Sequence, residues 1–192
     1  MNIIVSVDKN GCIGNNNDLL YDIKEDKNYF KEVTIGSAVV MGRKTWESIP
    51  RKPLPNRMNV IISRTLTVAD YPDTFIYDSF ETFMLNIKHN QFINPITSHF
   101  YNIFIIGGSQ LYDHVLKNYK VETIYKTAIE DPGQLIPALN SPIYFPKIDW
   151  DKYNLISITS LTTSNYKCQY HLINYPIECT FQIYSSKYTD TI

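Results

Sequence analysis

With 192 residues, a formal charge of −1 and 44% hydrophobic residues, the chain has the size of one domain that can bury a core without disulfides or metal. The balance of 18 Lys plus Arg against 19 Asp plus Glu argues against nucleic acid or an anionic membrane surface as the main partner, and no segment reaches the roughly 18 apolar residues of a membrane helix. Cys12, Cys168 and Cys179 are too scattered for a disulfide framework or a zinc cluster, and the four histidines lack metal spacing, so a metal-free protein in a reducing, cytoplasmic compartment is expected; a monomer is expected as well, although spacing does not bear on it.

Residues 3–5 form an apolar run that reads as a strand buried on both faces and central in its sheet. Gly11 to Gly14 then read as a strand end opening into a mobile loop, from which Leu19, Leu20 and Tyr21 return the chain to a helix ending near Val33. Asp26 and Phe30 are four residues apart on that helix and share a face, so a planar ligand fits between carboxylate and ring. Taken alone, Asp26 also reads as a helix cap or dipole partner and Phe30 as core. Residues 38–41 form a second buried strand that ends at Gly42, and a short helix over 43–48 follows at once, with Pro50, Pro53 and Pro55 in the loop beyond.

Strands are expected at 59–63 and 74–77, and Asp78 with Glu81 resembles a capping box ahead of a helix whose Phe80, Phe83, Met84 and Ile87 read as core. A polar loop over 91–99 leads into the most hydrophobic strand, 103–106, after which Gly107, Gly108 and the capping residue Ser109 open a helix carrying Leu111, Tyr112, Val115 and Leu116. Further strands are expected at 122–129, 155–161 and 179–184, with a long loop over 130–149 and a flexible tail at 187–192. Strands alternating with helices imply an α/β fold, a single domain over residues 1–186. Its mainly parallel sheet carries helices on both faces and ends in an antiparallel hairpin.

At two strand-to-helix junctions, Gly42 to Thr45 and Gly107 to Ser109, unpaired N–H groups and the helix dipole favour a phosphate. Neither is a G-x-G-x-x-G fingerprint, so a Rossmann dinucleotide site is not indicated. Lying about 65 residues apart on parallel strands, they are expected to hold the two ends of one dinucleotide.

Five blocks carry a resemblance in order and spacing: Gly11-x-Ile13-Gly14; Leu19 with Asp26 and Phe30; Met41 to Pro50; Pro53-Leu54-Pro55-Asn56-Arg57-x-Asn59 to Arg64; and Ile106-Gly107-Gly108-Ser109-x-Leu111-Tyr112. Together they resemble dihydrofolate reductase over essentially residues 3–184. The resemblance implies an eight-stranded sheet with an antiparallel C-terminal edge strand, and reduction of 7,8-dihydrofolate by NADPH. Asp26 would assist protonation of the pterin N5 and hold the N3 edge, with Thr127 as its hydrogen-bonding partner and Tyr21 as a further catalytic residue. Its neighbour Glu25, off the family position, is expected to be a solvated charge at the helix start.

The resemblance also implies a substrate pocket lined by Leu19, Phe30, Ile49 and Leu54, with the carbonyls of Ile4 and Ile106 on the pterin amino edge and Arg57 clamping the glutamate carboxylate. On the cofactor side it implies Arg43, Arg64 and Lys44 at the 2′-phosphate, Thr45 and the backbone of Gly107 to Gln110 at the pyrophosphate, and Tyr112 beside the nicotinamide. Ser6, Ile13, Gly42, Ser63, Ser109 and Leu111 complete that set, and antifolate inhibitors are expected ligands. The chain departs from the family at Tyr21, where Trp is usual, at Leu20 and Lys24, where Pro is usual, and at Ser6, where Ala is. At the aminobenzoate pocket, Lys27 would either snorkel outward or reach the substrate's carboxylates.

Overall fold

The computed structural model describes residues 1–88, 102–130, 141–164, 166–168 and 176–188. The loop expected at 91–99, part of the one at 130–149 and most of the expected tail lie outside the described residues.

In chain order the elements are β1 (Asn2–Asp8), β2 (Cys12–Asn15), β3 (Tyr21–Ile23), α1 (Lys24–Thr34), β4 (Ala38–Gly42), α2 (Arg43–Ser48), β5 (Met58–Ile62) and β6 (Phe75–Tyr77). They continue with α3 (Phe80–Lys88), β7 (Ile103–Gly107), α4 (Ser109–Asn118), β8 (Thr123–Glu130), β9 (Pro142–Tyr144), a 3-10 turn at Trp150–Lys152, β10 (Tyr153–Thr163), β11 (Tyr166–Cys168) and β12 (Ile177–Ser186). Eight strands form one sheet in the order β10-β12-β8-β1-β7-β4-β5-β6, with β1 central as its apolar run implies. β1 pairs in parallel with β7 and β8, and β4 with β5 and β7, whereas β12 runs antiparallel to both β8 and β10. The antiparallel C-terminal strand therefore lies one place in from the edge, with its hairpin partner β10 outside it.

Alternation along the strands sorts their side chains onto two faces. Ile3, Val5, Val40, Val60 and Ile105 pack with Phe80 and Phe83 of α3 and Leu111 and Val115 of α4. The intervening residues Ile4, Val39, Met41, Ile61 and Phe104 pack with Trp46 of α2 and Phe30 and Val33 of α1. Helices on both faces leave the active crevice at the carboxyl ends of the strands, where an open α/β sheet receives its ligands. Between Val40 and Met41 the β4–β7 register slips, so that Met41 stands opposite Gly107 and Ile106 is the extra residue.

Two local expectations change. α3 is capped by Ser79, whose Oγ accepts from Thr82 N at 3.1 Å, so the box starts one residue later than Asp78 and Glu81 suggest. The return from the first loop is the strand β3, paired antiparallel with β11, and β2 likewise pairs with β9.

Candidate active site

A cleft of about 1790 Å³ opens across the carboxyl ends of β1, β4, β5 and β7. Every site residue expected from the sequence lines it except Tyr21. β3 alternates, burying Tyr21 and Ile23 and exposing Asp22, so the Tyr21 ring turns into a core cluster with Cys12 and Phe181, 6.2 Å from Tyr166. The Tyr21 ring, expected to be catalytic, therefore does not line the cleft.

Asp26 lies in the first turn of α1, where no side chain caps the helix, so it is not the cap its position alone would allow. The β1–β8 register sets Ser6 beside Thr127, and both hydroxyls are hydrogen-bonded to the Asp26 carboxylate. Burial raises its pKa above the ordinary carboxylate range, and the two hydroxyls and the nearby Lys27 only partly offset that. Ser6, expected on the cofactor side, is thus tied to the acid. Glu25 is not a solvated charge: its Oε1 accepts from Thr163 Oγ1 at 3.4 Å, and its Oε2 is buried without a protein partner. Lys27 pairs with Asp22 at 2.5 Å, both residues exposed at the rim of the cleft that they line.

Arg57 is held in place from its own side of the cleft. Its Nε donates to Pro55 O at 3.1 Å and its Nη1 to Thr34 Oγ1 at 3.0 Å, while the guanidinium stands 5.6 Å from the Phe30 ring centre. Thr34 in turn donates to Phe30 O at 2.6 Å, so one short chain of hydrogen bonds orients the clamp from α1. The remaining N–H groups are left to meet a carboxylate in a planar fork. Phe30, Ile49 and Leu54 pack together on the α1 face, while Leu19 is 52% exposed at the loop. The Ile4 carbonyl accepts from Tyr112 Oη at 2.8 Å.

The two glycine junctions do not lie at opposite ends of the cleft. β4 and β7 are adjacent, and a Cβ added at Gly42 would stand 3.9 Å from Gly107 O and Gly108 N. They make one anion-receiving wall. Gly107 has φ +118°, a conformation that only glycine adopts without strain, and Thr45 Oγ1 stands 3.4 Å from where Cβ atoms at Gly107 or Gly108 would lie. The polar strip continues sideways over the ends of β5 and β6 through Ser63, Arg64, Thr65 and Ser79. Ser63 Oγ accepts from Thr65 N and Leu66 N and shapes that turn, and Arg43 pairs with Glu47 at 3.6 Å.

Sequence reasoning missed several cleft residues. Asn17 closes on α2, donating from Nδ2 to Lys44 O at 3.2 Å, and its partner residue gives no local signal. His114, set aside as incidental, lines the cleft beside Glu81, and Lys31, Arg51 and Lys167 line it too. A run of asparagines after a glycine pair could have pointed to Asn17 as part of a tight turn. Nothing local marks the others.

The fold and cleft define an α/β protein that receives a phosphate-bearing ligand beside a small ring facing a buried acid. The family model for dihydrofolate reductase matches residues 1–176, and the chain belongs to that family. It is 33% identical over 174 residues to a dihydrofolate reductase of Schistosoma mansoni, covering 86% of this chain and 88% of that one. A putative dihydrofolate reductase of Caenorhabditis elegans is 32% identical over 174 residues, covering 86% and 87%. The dihydrofolate reductase of Bos taurus is 31% identical over 173 residues, covering 81% and 83%.

Proposed function

We propose that this chain reduces 7,8-dihydrofolate to 5,6,7,8-tetrahydrofolate with NADPH, and that Asp26 is the acid that assists protonation of the pterin N5. The observation that carries the assignment is the Asp26 carboxyl itself, buried on α1 against Thr127 and Ser6 with a raised pKa and with Phe30 one turn along. A carboxyl that keeps its proton closer to neutral pH suits a reaction that needs one. Asp26 binds the N3 and 2-amino edge of the pterin and favours the N5-protonated form, the proton arriving through water. Phe30, Ile49 and Leu54 exclude solvent along the ring and aminobenzoate, and Arg57 fixes the far carboxylate.

The residues fit NADPH: Gly107, whose positive φ favours glycine, and Gly108 offer bare backbone beside Thr45 and the start of α4, where a phosphate is well received. When bound, NADPH supplies the hydride. Arg43, Lys44 and Arg64 would meet its 2′-phosphate, and Tyr112 would stand by the nicotinamide. Antifolate inhibitors would compete for the same pocket. A monomer in a reducing, cytoplasmic setting completes the reading, supported by the buried free thiols of Cys12 and Cys179; no helix of the described residues is long and apolar enough to cross a membrane.

The test follows NADPH oxidation with dihydrofolate for the wild type and Asp26→Asn. The variant is expected to lose about 10²- to 10⁴-fold in turnover at pH 7 and to recover part of it in acid. Wild-type rates from the variant at neutral pH would remove Asp26 from the role.

A further inference from the structure

Towards β6 the cleft wall carries a pair that the chemistry at Asp26 does not use. His114 on α4 and Glu81 on α3 both line the cleft, with His114 Nε2 2.8 Å from Glu81 Oε1. His114 lies one turn along α4 from Gln110, which also lines the cleft, and Glu81 lies in the first turn of α3, just after Asp78 and Ser79 on the same wall. Tyr119, just past α4, hydrogen-bonds to Glu81, and its ring stands 5.9 Å from the imidazole. The Phe80 ring approaches the imidazole from α3 at 6.0 Å, and Asn118 reaches its Nδ1 at 3.5 Å. On α4 itself the neighbouring charges are Asp113 and Lys117, which pair with each other at 2.7 Å. Glu81 is therefore the charged group against the ring, with Asp78 the next acid on the wall.

The electrostatic setting makes this pair consequential. The cleft is lined by the cations Arg43, Lys44 and Arg64 and, towards β6, by the acids Asp78 and Glu81; Glu47, which pairs with Arg43, is not among the lining residues. While His114 is neutral, the carboxylate of Glu81 stands unopposed by it on this wall and works against an anion there. Imidazole is the side chain whose charge changes between pH 5 and 8. A proton on His114 offsets the charge of Glu81, so that Arg43, Lys44 and Arg64 are less opposed in drawing an anion.

We infer that His114, held against Glu81, sets how strongly this end of the cleft selects a dinucleotide carrying a 2′-phosphate over one without it, the selection strengthening when the imidazole is protonated. The inference rests on the cofactor reading given above. His114 acts here through local charge, as a specificity residue for the cofactor rather than as a catalytic one. The 2′-phosphate itself takes up a proton near pH 6, which works in the opposite direction. The effect is therefore read as the difference between wild type and a variant that cannot titrate.

The experiment measures dissociation constants of NADPH and NADH by quenching of intrinsic fluorescence from pH 5.5 to 8, for wild type, His114→Gln and Glu81→Gln. At pH 5.5 the preference for NADPH over NADH is expected to be about three- to tenfold greater in the wild type than in His114→Gln, and equal at pH 8. Glu81→Gln is expected to raise the preference at pH 8 by a similar factor, which a merely structural role for the pair would not do. Parallel pH profiles for wild type and His114→Gln, with Glu81→Gln no different, would overturn this inference alone. A wild type that binds no NADPH at any pH would overturn the cofactor reading and this inference with it.

Discussion

Burial disfavours the charged form of Asp26, so the folded chain holds that proton to higher pH than the unfolded chain does. Between the ordinary carboxylate value and the raised folded one, the folded state binds more protons; stability falls as pH rises through that window, and the penalty is complete above it. Asp26→Asn keeps an acceptor for Thr127 and Ser6 and removes the charge. The variant is expected to be more stable than wild type at pH 7 by roughly 0.5–2 kcal/mol, the range common when a strained functional site is relaxed. For a chain of this size each kcal/mol moves the melting temperature by about 2–4 °C. Thermal melts at pH 3 and pH 7 check it: the advantage should vanish at pH 3, and its absence at pH 7 would mean that the carboxylate is well solvated. Arg57 works by geometry as well as charge. Replacing it with Leu is expected to raise the dihydrofolate KM by the equivalent of roughly 1.5–3 kcal/mol. Arg57→Lys should recover little, because an ammonium cannot make two parallel bonds from a fixed plane. Steady-state kinetics at saturating NADPH would show both, and a restored KM in the Lys variant would reduce the clamp to a point charge.

At the scale of elements, the loop between β2 and β3 is a tight turn rather than a slack connection. Asn15 N donates to Asp18 O at 2.9 Å and Asp18 N to Asn15 O at 3.1 Å, around Asn16 and Asn17 at φ +50° and +62°, the pattern of a two-residue hairpin turn. Gly14 sits under it, and a Cβ there would meet the Asp18 carbonyl oxygen at 2.5 Å. Because that obstacle is backbone, Gly14→Ala must displace the turn and with it the Asn17 bond to Lys44. Turnover is expected to drop on the order of ten- to a hundredfold with the circular dichroism spectrum unchanged, as misplacing a loop by an ångström can do. A fully active variant would show that the turn does not shape the cleft. The same elements explain what could be read beforehand. β1, β4, β5 and β7 are buried on both faces, so their β-branched runs announced them without context. β2, β3, β9 and β11 are three or four residues long and pair with segments far along the chain, which leaves no local period to detect. Without β3, Tyr21 has no reason to turn away from the cleft. His114 likewise gains its meaning only from Glu81, brought to it by the packing of α3 on α4.

For the whole molecule, the two edges of the sheet are guarded unequally. β6 ends it with three residues, whereas β10 ends it with eleven, and no charged residue or proline interrupts them from Asn154 to Thr163. Leu155, Ile156 and Ile158 are each at least half exposed on this edge. Unpaired N–H and C=O groups on a long apolar edge can template pairing with another chain, and proteins usually prevent this with Lys, Pro or bulges. Among the described residues, the one such device on this strand is the register slip between Leu155 and Ser157. The monomer proposed above is therefore expected to hold in dilute solution and to give way to self-association through β10 as concentration rises. Ile158→Lys puts a charge at the middle of that strand, where two copies paired about a two-fold axis would bring like charges face to face. Because the site is exposed, stability should change by no more than about 0.5 kcal/mol. Dihydrofolate reduction should not change either, since β12 lies between β10 and β8, whose Thr127 lines the cleft. Light scattering against concentration distinguishes the cases: if wild type and variant scatter alike, the edge is already protected and the apolar strand carries no association.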